Sequence, residues 1–181
     1  MKINIAELIN QGKLPALPNT SLNYNINYFN LFDLDKKFDL NSAKLKKAYL
    51  DIQNIVHPDK FMQKGTKHQT IALEWATFAN EAFNNLNNIA KRAIYWCKLH
   101  NINTNIQVEM HILEQTIDWH ESLQNNLNDD ENKKSIKLQA KKLMHIYEDK
   151  FKNLSIEDES NNLLGQYAQT LLLVDRFLHN I

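Results

Sequence analysis

The chain has 181 residues, and its 21 Lys and Arg balance 21 Asp and Glu, so no basic excess marks a nucleic-acid footprint. A hydrophobic fraction of 43% supports a packed core and excludes global disorder. Three glycines and three prolines are too few for the turns of a sheet-rich fold, so the composition predicts an all-α protein.

Residues 1–27 open with a short amphipathic stretch over 3–9, followed by Leu14-Pro15-Ala16-Leu17-Pro18. Two prolines so close together forbid a continuous helix, so an extended N-terminal arm of unassigned role is expected. Residues 28–32 form a compact apolar cluster, read as a short helix or turn. Asn41 or Ser42 then offers an N-cap for a helix whose apolar face is Leu45, Ala48, Tyr49, Ile52 and Val56. That helix must stop at His57, because Pro58 disfavours helical geometry in the residue before it. A polar loop is expected up to Gly65. Thr66 and Gln69 have capping-box spacing for the next helix, whose buried face would be Ile71, Trp75, Phe78, Ala79, Ala82 and Leu86. The two helices and their loop make a helical hairpin.

A further helix is expected over 88–100, through Arg92, Ala93, Tyr95 and Trp96. The polar run 101–105 is the expected hinge. Three helical patterns follow. The first, about 107–127, would bury Ile112, Trp119, Leu123 and Leu127. The second carries Ile136, Ala140, Leu143, Tyr147, Phe151 and Leu154. The third, about 156–179, carries Leu163, Leu164, Tyr167, Leu171, Val174 and Leu178. Short polar joints make these an antiparallel three-helix bundle. The organisation is therefore an arm (1–27), a hairpin domain (28–100) and a C-terminal bundle (106–181).

The informative motif is His57-Pro58-Asp59-Lys60-Phe61 at the apex of the hairpin, preceded by Leu45-Lys46-Lys47-Ala48-Tyr49. This combination resembles a J-domain over about residues 28–97. The resemblance implies that the tripeptide docks on a DnaK-type chaperone and stimulates its ATP hydrolysis. The residue chemistry suits docking. Proline fixes one backbone dihedral, aspartate offers a carboxylate for a charge-assisted bond, and histidine adds a polar ring. An ordinary helix-terminating turn is the plain alternative. Lys44, Lys46 and Lys47 can supply the basic helix face that J-domains present, which would speed encounter with an acidic partner. A merely solvated helix face is the competing reading for each lysine. Leu50 and Asp51 stand where generic J-domains carry basic residues.

Other segments narrow the resemblance to the HscB (Hsc20) family of J-domain co-chaperones. Asp51-Ile52-Gln53 and the trailing Lys60-Phe61 are similar to that group. Lys91-Arg92-Ala93-Ile94-Tyr95-Trp96 resembles the Arg-Ala-x-Tyr-Leu-Leu run closing its J-domain. Ile117-Asp118-Trp119-His120-Glu121-Ser122-Leu123 resembles its Met-Glu-Trp-Arg-Glu-Glu-Leu, with departures at His120 and Ser122. Leu171-Leu172-Leu173-Val174-Asp175-Arg176-Phe177 resembles its closing helix. The similarity covers about 28–181, and the CxxC pairs of some eukaryotic members are absent from the sequence. The resemblance implies that the bundle binds IscU, the iron–sulfur scaffold, through Leu113, Ile117, Asp118, Glu121 and Leu173. Helical geometry gives independent support. Ile112, Trp119 and Leu123 already make a core stripe, which leaves Leu113 and Ile117 as surplus apolar residues flanked by carboxylates. A wider buried face with solvated acids is the alternative.

Cys97, the single cysteine, cannot form an internal disulfide and points to a reducing compartment. No apolar run reaches bilayer length, no secretory h-region is visible, and no arginine precedes Arg92, a poor fit to a mitochondrial presequence. A cytoplasmic protein without membrane or nucleic-acid partner is expected. Cys97 and His100 have only half the ligands of a zinc site, so no metal or cofactor is expected. The scattered histidines carry no hydrolase or metalloprotease motif, and no catalytic site is expected. Two other binding roles stay open: delivery of a different client to a DnaK-type chaperone, and a structural helical protein whose loop is vestigial.

Overall fold

A computed structural model describes residues 3–13, 26–126, 129–154 and 160–181. Every regular element among them is helical. Packing divides the chain into two units, Met1–Asn88 and Ile89–Ile181.

The first unit contains α1 (Ile5–Asn10), α2 (Tyr28–Leu31), α3 (Ser42–Val56), a 3₁₀ helix (Pro58–Lys64) and α4 (Thr66–Asn87). Asn41 caps α3, its side chain accepting the Lys44 amide at 3.0 Å, and the helix ends at His57, whose ψ of 125° leaves the helical region. Helices α3 and α4 pack antiparallel, since Tyr49 stacks on Phe83 at 4.3 Å while Gln53, one turn on, reaches back to Asn80 at 2.8 Å. The buried face of α4 is the one expected, with Ala72 added: Ile71, Trp75, Phe78, Ala79, Ala82 and Leu86 are all buried. Burying the larger of these side chains, such as Ile71, Phe78 and Leu86, stabilises the fold by about 1.5–3 kcal/mol each.

Three local expectations are corrected. The loop after His57 is a 3₁₀ helix, because Phe61 turns inward and is buried. The capping box at Thr66 does not form. Gly65, at φ +87°, takes the N-cap position, and no side-chain cap bond is made. The amphipathic stretch near the start is the helix α1, which buries Ile5 and Ile9 and packs on α3 and α4. The Leu14–Pro18 segment lies outside the described residues.

The second unit contains α5 (Ile89–Leu99), α6 (Met110–Asn125), α7 (Asp130–Asn153) and α8 (Asn161–His179). The last three are the expected antiparallel bundle. Glu109, at the start of α6, bonds Tyr147 late in α7, and Ser122, late in α6, bonds Asn132 early in α7. Tyr147 in turn meets Tyr167 early in α8, while Trp119, Ile136, Ala140, Val174 and Phe177 form one core cluster at the other end. Helix α5 joins this bundle by packing along α8. Leu163 is 41% exposed rather than buried, because Leu164, Ala168, Leu171 and Val174 occupy the inward stripe of α8. Leu127 lies outside the described residues.

The run 101–105 is not a free hinge. Ile102 is buried, the Gln169 amide donates to the Thr104 carbonyl, and the Gln166 amide donates to the Gln107 carbonyl at 3.3 Å. Gly165 makes the approach possible, since a Cβ there would stand 2.0 Å from the Asn103 carbonyl oxygen. The segment is thus stitched to α8, and the division between packed units falls earlier, at Asn88.

Candidate functional site

The motif residues sit at the junction of α3 and the 3₁₀ helix. Val56, fully buried, anchors one side of the junction, and Phe61 anchors the other. Between these anchors Pro58 opens the 3₁₀ helix, and the Lys60 amide donates to the His57 carbonyl at 3.1 Å. His57 Nδ1 lies 3.4 Å from Asp59 Oδ2, yet the two side chains remain 60% and 75% exposed. The junction is therefore held from within while its polar groups face outward. Lys60 is exposed beside them.

Lys44, Lys46 and Lys47 are all exposed on α3. They do not form one stripe. At 3.6 residues per turn Lys44 and Lys47 share a side with Asp51 and Ile55, whereas Lys46 lies about 160° round the helix from Lys44. Lys44, Lys47, Asp51 and Ile55 line a shallow groove with Ile3, Ile5 and Phe32.

On α6 the core stripe is Ile112, Thr116 and Trp119, all buried, with Leu123 half-buried behind them. Trp119 is a core residue, its ring 5.2 Å from Phe177 and its Nε1 donating to Gln139 at 3.3 Å. The neighbouring face is open. Ile117 is 55% exposed, Leu113 is half-buried, and Asp118 and Glu121 are exposed. Met110, 66% exposed, and Glu114 extend the same face by one turn. Sequence reasoning missed these two, although their i, i+3, i+4 and i+7 spacing to Leu113, Ile117 and Asp118 carried the signal. Leu173 belongs to α8, which packs on α6, and is half-buried.

The Cys97 and His100 pair is otherwise engaged. The Cys97 thiol is fully buried, donates weakly to the Leu164 carbonyl at 3.9 Å, and burial pushes its pKa up to about 12. His100 turns Nδ1 onto the Trp96 carbonyl at 2.9 Å and lays its ring on the Trp96 indole. Among the described residues no group of three or more His, Cys, Asp or Glu side chains is arranged to hold a metal. No helix among them is long and apolar enough to cross a membrane.

Comparison with known proteins bears on the sequence and fold of the chain as a whole. No family model matches the chain. It is 38% identical over 104 residues to a co-chaperone protein HscB homolog of Paraburkholderia xenovorans, and 39% identical over 101 residues to one of Burkholderia multivorans. Those matches cover 55% and 54% of this chain, and 59% and 58% of the two relatives' lengths. In fold it is similar to the chaperone HscB from Vibrio cholerae, with a TM-score of 0.71 at 18% identity over 86% of this chain and 94% of that one. It is likewise similar to human co-chaperone protein HscB, with a TM-score of 0.72 at 23% identity over 93% of this chain and 81% of that one. By sequence over little more than half its length, and by fold over most of it, the chain is similar to HscB co-chaperones, a J-domain hairpin with a helical bundle.

Proposed function

We propose that this protein is an HscB-type co-chaperone of iron–sulfur cluster assembly, with no catalytic site of its own. The loop of His57, Pro58, Asp59 and Lys60 docks on an HscA- or DnaK-type chaperone and stimulates its ATP hydrolysis, while Lys44, Lys46 and Lys47, spread round α3, speed the encounter by long-range attraction instead of sharing one contact face. The face of Leu113, Ile117, Asp118 and Glu121, with Leu173, binds an IscU-type scaffold. As sequence modules the J-domain runs over 28–100 and the scaffold-binding bundle over 106–181. Helix α5 belongs to the first by resemblance and packs with the second.

The observation that carries this reading is the solvent-open His57–Asp59 pair at the apex of a firmly packed hairpin. Two exposed, opposed polar groups on a braced loop contribute little to folding, since surface ion pairs are worth about 0–1 kcal/mol. They are well placed for a partner. A docked loop shifts the chaperone's equilibrium only by binding one of its states better than the other, which requires a loop of defined shape. The α6 face supports the second half of the proposal, because apolar groups ringed by carboxylates fit a partner with an apolar, basic surface.

The test is steady-state ATP hydrolysis by the cognate chaperone, with this protein and the scaffold added separately and together. Synergy between the two is expected. Stimulation indifferent to the scaffold would assign the bundle to another client, and no stimulation at all would overturn the chaperone role.

A further inference from the structure

We propose that the N-terminal segment 3–13 positions the His57–Asp59 loop, and that Asn10 and Lys64 are the residues through which it acts. The proposal rests on reading that loop as the chaperone-docking element. It assigns a role to a part of the chain that the family resemblance leaves outside.

Lys64 is the last residue of the 3₁₀ helix that begins at Pro58, and three groups hold it. Its Nζ donates to Asn10 Oδ1 at 2.6 Å, the same ammonium lies 5.6 Å from the Phe61 ring centre, and its carbonyl meets His68 Nδ1 at 2.9 Å. The last two contacts are local to the loop and α4. The first comes from the end of α1, which is itself firmly seated. Ile9 is fully buried and Ile5 nearly so, and α1 packs on both α3 and α4, the two helices between which the loop is strung. Just beyond α1, the fully buried Trp75 donates its indole N–H to the Lys13 carbonyl at 2.9 Å. Gly12, at φ +72°, turns the backbone so that this carbonyl reaches the indole.

The chain therefore ties the exit of the docking loop to a second packed element instead of leaving it to its own short helix. Runs of 3₁₀ helix have poor hydrogen-bond geometry and need outside support. Both side chains are exposed, so without the Asn10 acceptor Lys64 loses its tie to α1, not its burial, and the last turn loosens. His57 and Asp59 then sample more arrangements, and the ordering cost falls on the docking step. Asn10 and Lys64 touch no partner in this scheme. They are positioning residues, and the plain alternative is that α1 only adds stability to the hairpin.

The full chain carrying Asn10→Ala is compared with Asn10→Asp, which keeps the acceptor and adds a charge toward Lys64. Amide hydrogen exchange is read across the whole protein, without any partner. Asn10→Ala is expected to speed exchange of the 60–64 amides about fivefold, the size of one modest hydrogen bond, with α7 and α8 unchanged. Asn10→Asp is expected at or below the wild-type rate. In the ATPase assay Asn10→Ala should raise the concentration for half-maximal stimulation about fivefold while keeping the maximum, and Asn10→Asp should not. Unchanged exchange at 60–64, or an equal rise throughout the hairpin, would overturn the positioning role. If the wild-type protein stimulates no DnaK-type chaperone, the docking reading fails, and the exchange measurement still decides whether segment 3–13 holds the loop.

Discussion

His57 Nδ1 and Asp59 Oδ2 stand 3.4 Å apart on either side of Pro58, close enough to pair and too exposed for the pairing to matter much to folding. Replacing Asp59 by Asn keeps the shape and removes the charge. Stability should change by less than about 0.5 kcal/mol, as for most surface substitutions. Stimulation of the chaperone should fall to background. Thermal unfolding alongside the ATPase assay separates the two effects, and full stimulation by Asp59→Asn would end the docking reading.

The α6 face permits a complementary experiment. Ile117 is 55% exposed and Leu113 half-buried, so Leu113→Ala with Ile117→Ala removes little core. The expected loss of stability is about 1–2 kcal/mol, below the cost of emptying a buried site. Binding of the scaffold, read by calorimetry, should weaken about tenfold or more, in line with two apolar anchors of an interface. Chaperone stimulation without scaffold should be retained. Parallel loss of both activities would mean that the bundle itself had come apart.

Helix identity and packing faces were largely legible because they rest on periodicity. The α4 stripe from Ile71 to Leu86 repeats at helical spacing, and Pro58 sets a stop that needs no tertiary knowledge. What escaped the sequence depended on contacts between distant segments. Nothing local says that Phe61 turns inward and tightens the loop, or that Asn10 reaches Lys64 across 54 positions. Thr66 and Gln69 satisfy the capping-box pattern, but Gly65 can adopt a positive φ and takes the cap position first. The His57-Pro58-Asp59 tripeptide was legible from its residues and its place between two helices, while the role proposed for it came only through the family resemblance. The α6 face was legible in part, because surplus apolar residues at Leu113 and Ile117 show in the pattern, and the helical spacing that adds Met110 and Glu114 was there to be read, with their exposure completing the face.

Cys97 gives a pH prediction whose sign can be fixed. Burial raises its pKa from 9.0 to about 12, so the folded state holds the thiol proton more tightly than the unfolded chain does. Its contribution is fully present below pH 9 and is lost as pH rises toward 12, by up to about 4 kcal/mol at 1.36 kcal/mol per unit. Tyr147, raised from 10.0 to about 12 by burial and then by Glu109, acts in the same direction. The difference between wild type and Cys97→Ala in denaturant unfolding from pH 8 to 11 therefore isolates the thiol. The native thiol should also react with a disulfide reagent at neutral pH only as fast as the bundle opens. Rapid labelling of the folded protein would contradict the burial.

Gly165 offers the sharpest test of how segment 101–109 is held. In an exposed helix, Gly→Ala would stabilise by about 1 kcal/mol, because alanine is the better helix former. Here the added methyl would stand 2.0 Å from the Asn103 carbonyl oxygen and 2.8 Å from Ile106 Cδ1, and a backbone carbonyl cannot swing aside as a side chain can. Gly165→Ala should therefore invert the usual sign and destabilise the second unit by about 1–3 kcal/mol, the ordinary cost of overpacking. The amide bonds from Gln166 and Gln169 to the Gln107 and Thr104 carbonyls should lengthen or break, so hydrogen exchange ought to accelerate in 101–109 and along the facing turn of α8. The first unit, Met1–Asn88, should keep its exchange pattern and the protein its chaperone stimulation. A stabilised Gly165→Ala protein would show that the segment lifts from α8 in solution, and the polar run would then regain the hinge role its composition suggests.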